Sequence, residues 1–196
     1  MIDLEAIRTL ADIPAAQARR QGEAVAIKFG DRETTFAALD AQTNRVANAL
    51  AAHGVHPGDR VSVLAKNHDA WFPLFFGTAR ARACFAPINC RLAAGEIAFI
   101  LEDAAPRVLF VSDDFFPLAQ DAVAGLAHPP HLVALCGAHP AFEPLDSWLG
   151  HAAETPPADP PQLSDHVLQL YTSGTTGRPK GVVLDNTNYR SFLEMA

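Results

Sequence analysis

The segment YTSGTTGRPKGVVL, residues 171–184, gathers the side chains and backbone that hold an anion. Its first eleven residues contain three glycines, four serine or threonine hydroxyls, one arginine and one lysine. Gly174 and Gly177 can take positive φ, which turns successive N–H groups into one concavity. Thr172, Ser173, Thr175 and Thr176 add hydroxyl donors for phosphate oxygens or a metal-bound water. Pro179 stiffens the exit of the loop, so that Lys180 arrives at a fixed place as a point charge on a polyphosphate. Arg178, two residues earlier, either reinforces Lys180 or faces solvent. The same composition suits a solvated hairpin connection, because glycine, threonine and serine are common turn formers. Composition alone leaves both readings open.

Other chemistries fail on spacing. The pattern G-x-x-x-x-G-K-[ST] breaks because Pro179 stands five residues after Gly174. G-x-S-x-G breaks because Tyr171 occupies the place of its first glycine. His128 and His131 lie in a proline-bearing loop with no third ligand close in sequence, which disfavours a metal site. Cys84, Cys90 and Cys136 are odd in number and lack C-x-x-C spacing, so they are expected to be reduced, mostly buried thiols. Cys90 is expected to pack and not to act as a nucleophile.

Something must position the loop, and the remaining sequence reads as a layered frame. Hydrophobic residues make up 49% of the 196-residue chain and charged residues 19%, the balance of a folded globular protein. The net charge is −7, and between Asp103 and Asp165 nine acids face the single base Arg107. That argues against a nucleic-acid partner and requires any phosphate to be held locally. The start of the chain has no apolar core of signal-peptide length, and its most apolar stretch, AWFPLFFGTA, is half of a membrane span. A soluble, cytoplasmic protein is the expectation. Twelve arginines against three lysines hint at a GC-rich bacterial source.

AVAIKFGDRETTF reads as two short strands about a Gly-Asp turn. The next segment has apolar residues at Phe36, Leu39, Val46, Ala47 and Leu50, a helical period capped by Thr35 and stopped by Gly54. RVSVLA, CFAPIN, RVLFV and HLVALC read as strands. Helices are expected from Trp71 to Ala83, over AAGEIAFILEDA and over DDFFPLAQDAVAGLA. This alternation, with strands apolar along their whole length, predicts an α/β fold of parallel or mixed sheets covered by helices. Residues 137–165 hold six of the fifteen prolines and read as surface connection around one short helix anchored by Trp148. Residues 1–165 are thus expected to form a first α/β subdomain ending in that connection. Residues 166–196 are expected to begin a second, truncated subdomain that carries the loop and a helix capped by Asn186 or Thr187.

The order of residues in YTSGTTGRPKGV resembles the phosphate-binding signature of the adenylate-forming enzymes, which include acyl-CoA synthetases, luciferase and peptide-synthetase adenylation domains. The resemblance extends over TTFAALDAQTNRVANALAAHGVHPGDRVSVLAKN and FAPINCRLAAGEIAFILEDAAPRVLFV, and runs from about Ala24 to Asn188. It is strongest to the fatty-acyl-CoA ligase type, and it implies the fold of the first part of their large N-terminal domain. It also implies a two-step reaction: a carboxylate attacks the α-phosphorus of ATP, and the thiol of CoA then displaces AMP from the acyl-adenylate. Small-molecule acid, ATP, Mg²⁺ and CoA would be the ligands. Matched onto the motif, Thr172, Ser173, Gly174, Thr175, Thr176, Gly177 and Lys180 would hold the nucleotide phosphates. No catalytic residue and no metal ligand is assigned within the chain, which is expected to be inactive alone and to self-associate through an exposed sheet edge.

Two departures stand out. Asp185 and Asn186 occupy the place of the family's Ser-His or Thr-His pair, with only Asn188 retained, and Arg82 stands where the family tends to have glycine. They keep two alternatives open: a non-catalytic AMP-binding homologue, or a structural fragment without nucleotide affinity.

Overall fold

The computed structural model describes residues 6–172 and 178–195. In chain order the elements are α1 (Asp12–Gln21), β1 (Val25–Phe29), β2 (Arg32–Thr35), α2 (Phe36–Ala52), β3 (Arg60–Leu64), α3 (Trp71–Arg80) and β4 (Cys84–Pro87). Then follow α4 (Ala94–Ala104), β5 (Val108–Val111), α5 (Phe116–Val123), β6 (His131–Ala134), β7 (Glu143–Pro144), α6 (Leu145–Leu149), β8 (His166–Thr172), β9 (Lys180–Asp185) and α7 (Asn186–Met195). A seven-stranded sheet has the order β7-β6-β5-β3-β4-β8-β9, parallel throughout except for the antiparallel pair β8–β9. A separate hairpin, β1–β2, stands beside it.

Helices cover both faces, which is why the central strands read as unbroken apolar runs. Val61, Val63, Phe85 and Phe110 pack with Leu50, Leu74 and Trp148 on one face. Leu64, Leu109 and Val111 pack with Ile97, Ile100 and Phe116 on the other. The Thr35 hydroxyl accepts from Ala38 N–H and starts α2, and Gly54 follows its end at φ 75°. Gly77 lets α3 close onto α2, since a Cβ there would lie 2.5 Å from Val46 Cγ1.

The structure corrects several expectations. α3 ends at Arg80 and not Ala83, because Arg82 takes φ 61° and cannot continue a helix. The segment after β5 is a 3₁₀ turn, Asp113–Phe115, followed by the shorter α5. α1 and β7 carry too little periodicity to have been expected. Cys84 is buried, but Cys90 and Cys136 are half-exposed; all three are free thiols. The cap of α7 is neither Asn186 nor Thr187. Asp185 Oδ1 accepts from Asn188 N–H at 2.9 Å and Asn188 Oδ1 accepts from Asp185 N–H at 3.0 Å, a reciprocal box one residue earlier. β8 and β9 extend the sheet begun before Asp165, so the segments on either side of that boundary share one hydrogen-bonded sheet.

The two departures have structural roles. Arg82 holds a backbone conformation that costs a non-glycine residue roughly 1–2 kcal/mol. Its guanidinium binds Asp165 in a fork at 3.0 and 3.2 Å and Asp159 at 2.7 Å, and these hydrogen bonds hold its pKa above the ordinary arginine value. Asn186 is 1% exposed, accepting from Leu10 N–H at 2.9 Å and donating to the Gln162 carbonyl at 2.8 Å. Replacing it by leucine strands the buried Leu10 N–H and removes the donor to the Gln162 carbonyl. We expect Asn186→Leu to lose about 2–4 kcal/mol and roughly 5–15 °C of Tm, checked by thermal unfolding. Thr187→Ala, at an exposed position, should change Tm far less.

Candidate functional site

The sheet delivers both ends of the glycine- and hydroxyl-rich segment to one place. β8 pairs with β4, Phe85 opposite Leu168, which carries the end of β8 alongside the residues that follow β4. β9 returns antiparallel to β8 with Tyr171 opposite Gly181 and Thr172 opposite Lys180. Residues directly opposite in an antiparallel pair project to the same face. The hydroxyl of Thr172 and the ammonium of Lys180, both exposed, therefore flank the mouth of the segment on one side. Of the seven residues expected to hold phosphates, these two are brought together. Ser173, Gly174, Thr175, Thr176 and Gly177 lie outside the described residues.

A cleft of about 560 Å³ adjoins the mouth, lined by Trp71, Asn89, Glu96, Tyr171, Thr172 and Arg178 among others. The Arg178 guanidinium lies 5.8 Å from the centroid of the Phe99 ring on α4, a cation–π contact. Arg178 is exposed and leans over α4. The Thr172 hydroxyl and the Arg178 guanidinium line this cleft, with Glu96 the only carboxylate among its described lining residues, and Lys180 stands opposite Thr172 at the mouth, outside that lining.

A polar chain lies under the mouth and was not read from the sequence. Tyr171 Oη donates to Asp103 Oδ2 at 2.5 Å, Gln169 Nε2 donates to Tyr171 Oη at 2.8 Å, and Arg60 Nε donates to Gln169 Oε1 at 3.1 Å. Gln169 is only 4% exposed. The available signal was its place in HVLQLYT, where an amide interrupts the apolar alternation two residues before a tyrosine. Desolvation, then the hydrogen bond to Asp103, pushes the Tyr171 phenol above its usual pKa. His131, weighed as a metal ligand, instead places Nε2 2.7 Å from Glu143 Oε2.

A family model described as AMP-binding enzyme matches residues 14–196. A fatty acid–[acyl-carrier-protein] ligase of Streptomyces coeruleorubidus is 36% identical over 95% of this chain and 34% of its own length. A long-chain-fatty-acid–CoA ligase of Mycobacterium tuberculosis is 41% identical over 78% of this chain and 30% of its own. Among solved structures, an anthranilate CoA ligase in complex with anthranoyl-AMP superposes with a TM-score of 0.86 at 30% identity, over 92% of this chain and 35% of that one. The chain spans about a third of the length of these relatives.

The raised phenol gives a pH signature. The folded state keeps the Tyr171 proton beyond pH 10, where an unfolded tyrosine loses it, so this contribution is whole below about pH 10 and declines as pH rises above it. Tyr189, raised by burial, adds a slope of the same sign. Urea unfolding midpoints measured between pH 9 and 11 should fall less steeply in Tyr171→Phe than in the wild type; equal slopes would count against the buried phenol.

Proposed function

Because the chain belongs to the AMP-binding enzyme family, we propose that it supplies the phosphate-binding part of an ATP-dependent ligase that activates a carboxylic acid. The observation that carries this reading is the pairing of Thr172 with Lys180 at the mouth of a glycine- and hydroxyl-rich segment. The acid is fatty and the thiol acceptor is that of CoA, the chemistry named for the mycobacterial relative, while the anthranilate ligase makes an aromatic acid the competing class.

The chemistry follows from leaving groups. A carboxylate acylates poorly because its oxygen leaves as an oxide; attack on the α-phosphorus of ATP replaces that with a phosphate. Pyrophosphate departs with growing negative charge. Lys180, held at the start of β9, offers a fixed positive charge there, and the Thr172 hydroxyl donates to a phosphate oxygen. Ser173, Gly174, Thr175, Thr176 and Gly177 complete the cradle in this proposal. A magnesium ion bound with the nucleotide would supply further neutralisation of the phosphate charge, and Thr172 and the neighbouring hydroxyls are the residues that would approach it. Thiol displacement of AMP completes the cycle in the whole protein.

A second reading has a specific observation behind it. Asp185 and Asn186 stand where the family carries its hydroxyl-histidine pair, and here they cap α7 and tie down Leu10 and Gln162. An AMP-binding homologue without ligase chemistry would look the same.

Carboxylate-dependent ATP–pyrophosphate exchange separates the two, measured on the full-length polypeptide with short, long and aromatic acids. We expect exchange to depend on one acid class, long-chain first, and to fall by a factor of about 10² or more in Lys180→Ala. ATP binding without exchange for any acid would favour the non-catalytic homologue.

A further inference from the structure

We propose that Arg60, Gln169, Tyr171 and Asp103 form a brace that positions the mouth of the phosphate-binding segment, and that residue 181 is glycine to admit it. The nucleotide part of this proposal rests on the function proposed above; the brace itself rests on geometry alone.

The chain of hydrogen bonds runs in one direction only. A guanidinium has no acceptor and a carboxylate has no donor, so a line that begins at Arg60 and ends at Asp103 fixes every group between them. The Gln169 amide must turn its oxygen to Arg60 and its nitrogen to Tyr171, and the Tyr171 hydroxyl must donate to Asp103. A cation at one end and an anion at the other polarise the two neutral groups in the same sense, which strengthens each bond. Burial keeps the phenol protonated, so Tyr171 remains a donor.

The brace ties β3 and α4 to the end of β8. Arg60 belongs to β3, and because the sheet order is β3-β4-β8 it reaches across β4 to Gln169. Asp103 lies on α4, whose Ile97, Ile100 and Leu101 pack with Leu64 and Leu109 in the cluster that Tyr171 borders. Two elements, β3 and α4, are thereby pinned to the end of β8, where Tyr171 stands one residue before Thr172.

Gly181 shows that this arrangement is built in. It sits directly opposite Tyr171, and its φ lies outside the left-handed region, so backbone conformation gives no reason for glycine there. A Cβ at 181 would come within 2.6 Å of Gln169 Nε2 and 3.2 Å of Tyr171 Cζ. The amide and the phenol lie across the bare backbone of β9. Any side chain would push the brace off β9 next to Lys180.

The prediction is that these residues act on nucleotide affinity through the placement of Thr172 and Lys180, as positioning groups. In the full-length polypeptide, Tyr171→Phe and Asp103→Ala should each raise the KM for ATP about tenfold, while the KM for the acid stays within twofold. Asp103→Asn, which keeps an acceptor oxygen, should restore most of the loss. Amide hydrogen exchange without nucleotide is the activity-independent arm: exchange at Thr172 and Gly181 should accelerate in Tyr171→Phe and Asp103→Ala and return towards wild type in Asp103→Asn. Unchanged exchange in Tyr171→Phe, an equal rise in both KM values, or Asp103→Asn as damaging as Asp103→Ala would overturn the brace. If no acid supports pyrophosphate exchange in the wild type, the ligase reading fails and the hydrogen-exchange arm still decides the brace.

Discussion

The backbone ladder between β8 and β9 is the constraint on which the candidate site depends. Its period of two sends Tyr171 and Gly181 to one face and Thr172 and Lys180 to the other. A slip of one residue would exchange the faces: Lys180 would turn toward α4, and Gly181 would no longer lie under the Gln169 amide. The register is therefore held by what lies on each face. The phenol and the amide need the gap left by glycine, and the apolar pairing of Leu168 with Leu184 completes the ladder behind them. The placement of Thr172 and Lys180 at the mouth is thus a consequence of packing one residue behind it.

The two departures from the family pattern converge on one segment. Arg82 grips Asp159 and Asp165, and Asn186 binds the Gln162 carbonyl while its own N–H donates to Asp165 O at 3.2 Å. Gln162 N–H in turn donates to Asp165 Oδ2 at 2.7 Å. Residues 159–165 lead directly into β8, so the strained backbone at Arg82 and the buried Asn186 both fasten the approach to that strand. The proline-rich connection, read from the sequence as surface linker, is fastened at its last turn. Its composition gave no sign of this, because the partners are 83 and 24 residues away in sequence.

Legibility followed the range of the interactions. Helix α2 could be bounded from Thr35 and Gly54 because caps and stops act within a few residues. The covered sheet followed from apolar strands at a regular rhythm, and the family from the residue order of a single loop. What stayed hidden depends on contacts distant in sequence. Arg60 and Gln169 are 109 residues apart, Asp103 and Tyr171 are 68 apart, and Leu10 and Asn186 are 176 apart. Even the cap of α7 was missed by one residue, since Asp185 and Asn186 are both good capping types and only the geometry of Asn188 chooses between them.

The central claim is that the mouth formed by Thr172 and Lys180 receives the phosphates of a nucleotide. The direct measurement is phosphorus NMR of ATP with magnesium, titrated with the full-length polypeptide and with Lys180→Ala. The account predicts saturable shifts of the β- and γ-phosphate resonances that weaken sharply in the variant. Shifts of equal size and midpoint in both proteins, or proton shifts of the adenine ring with silent phosphates, would contradict it.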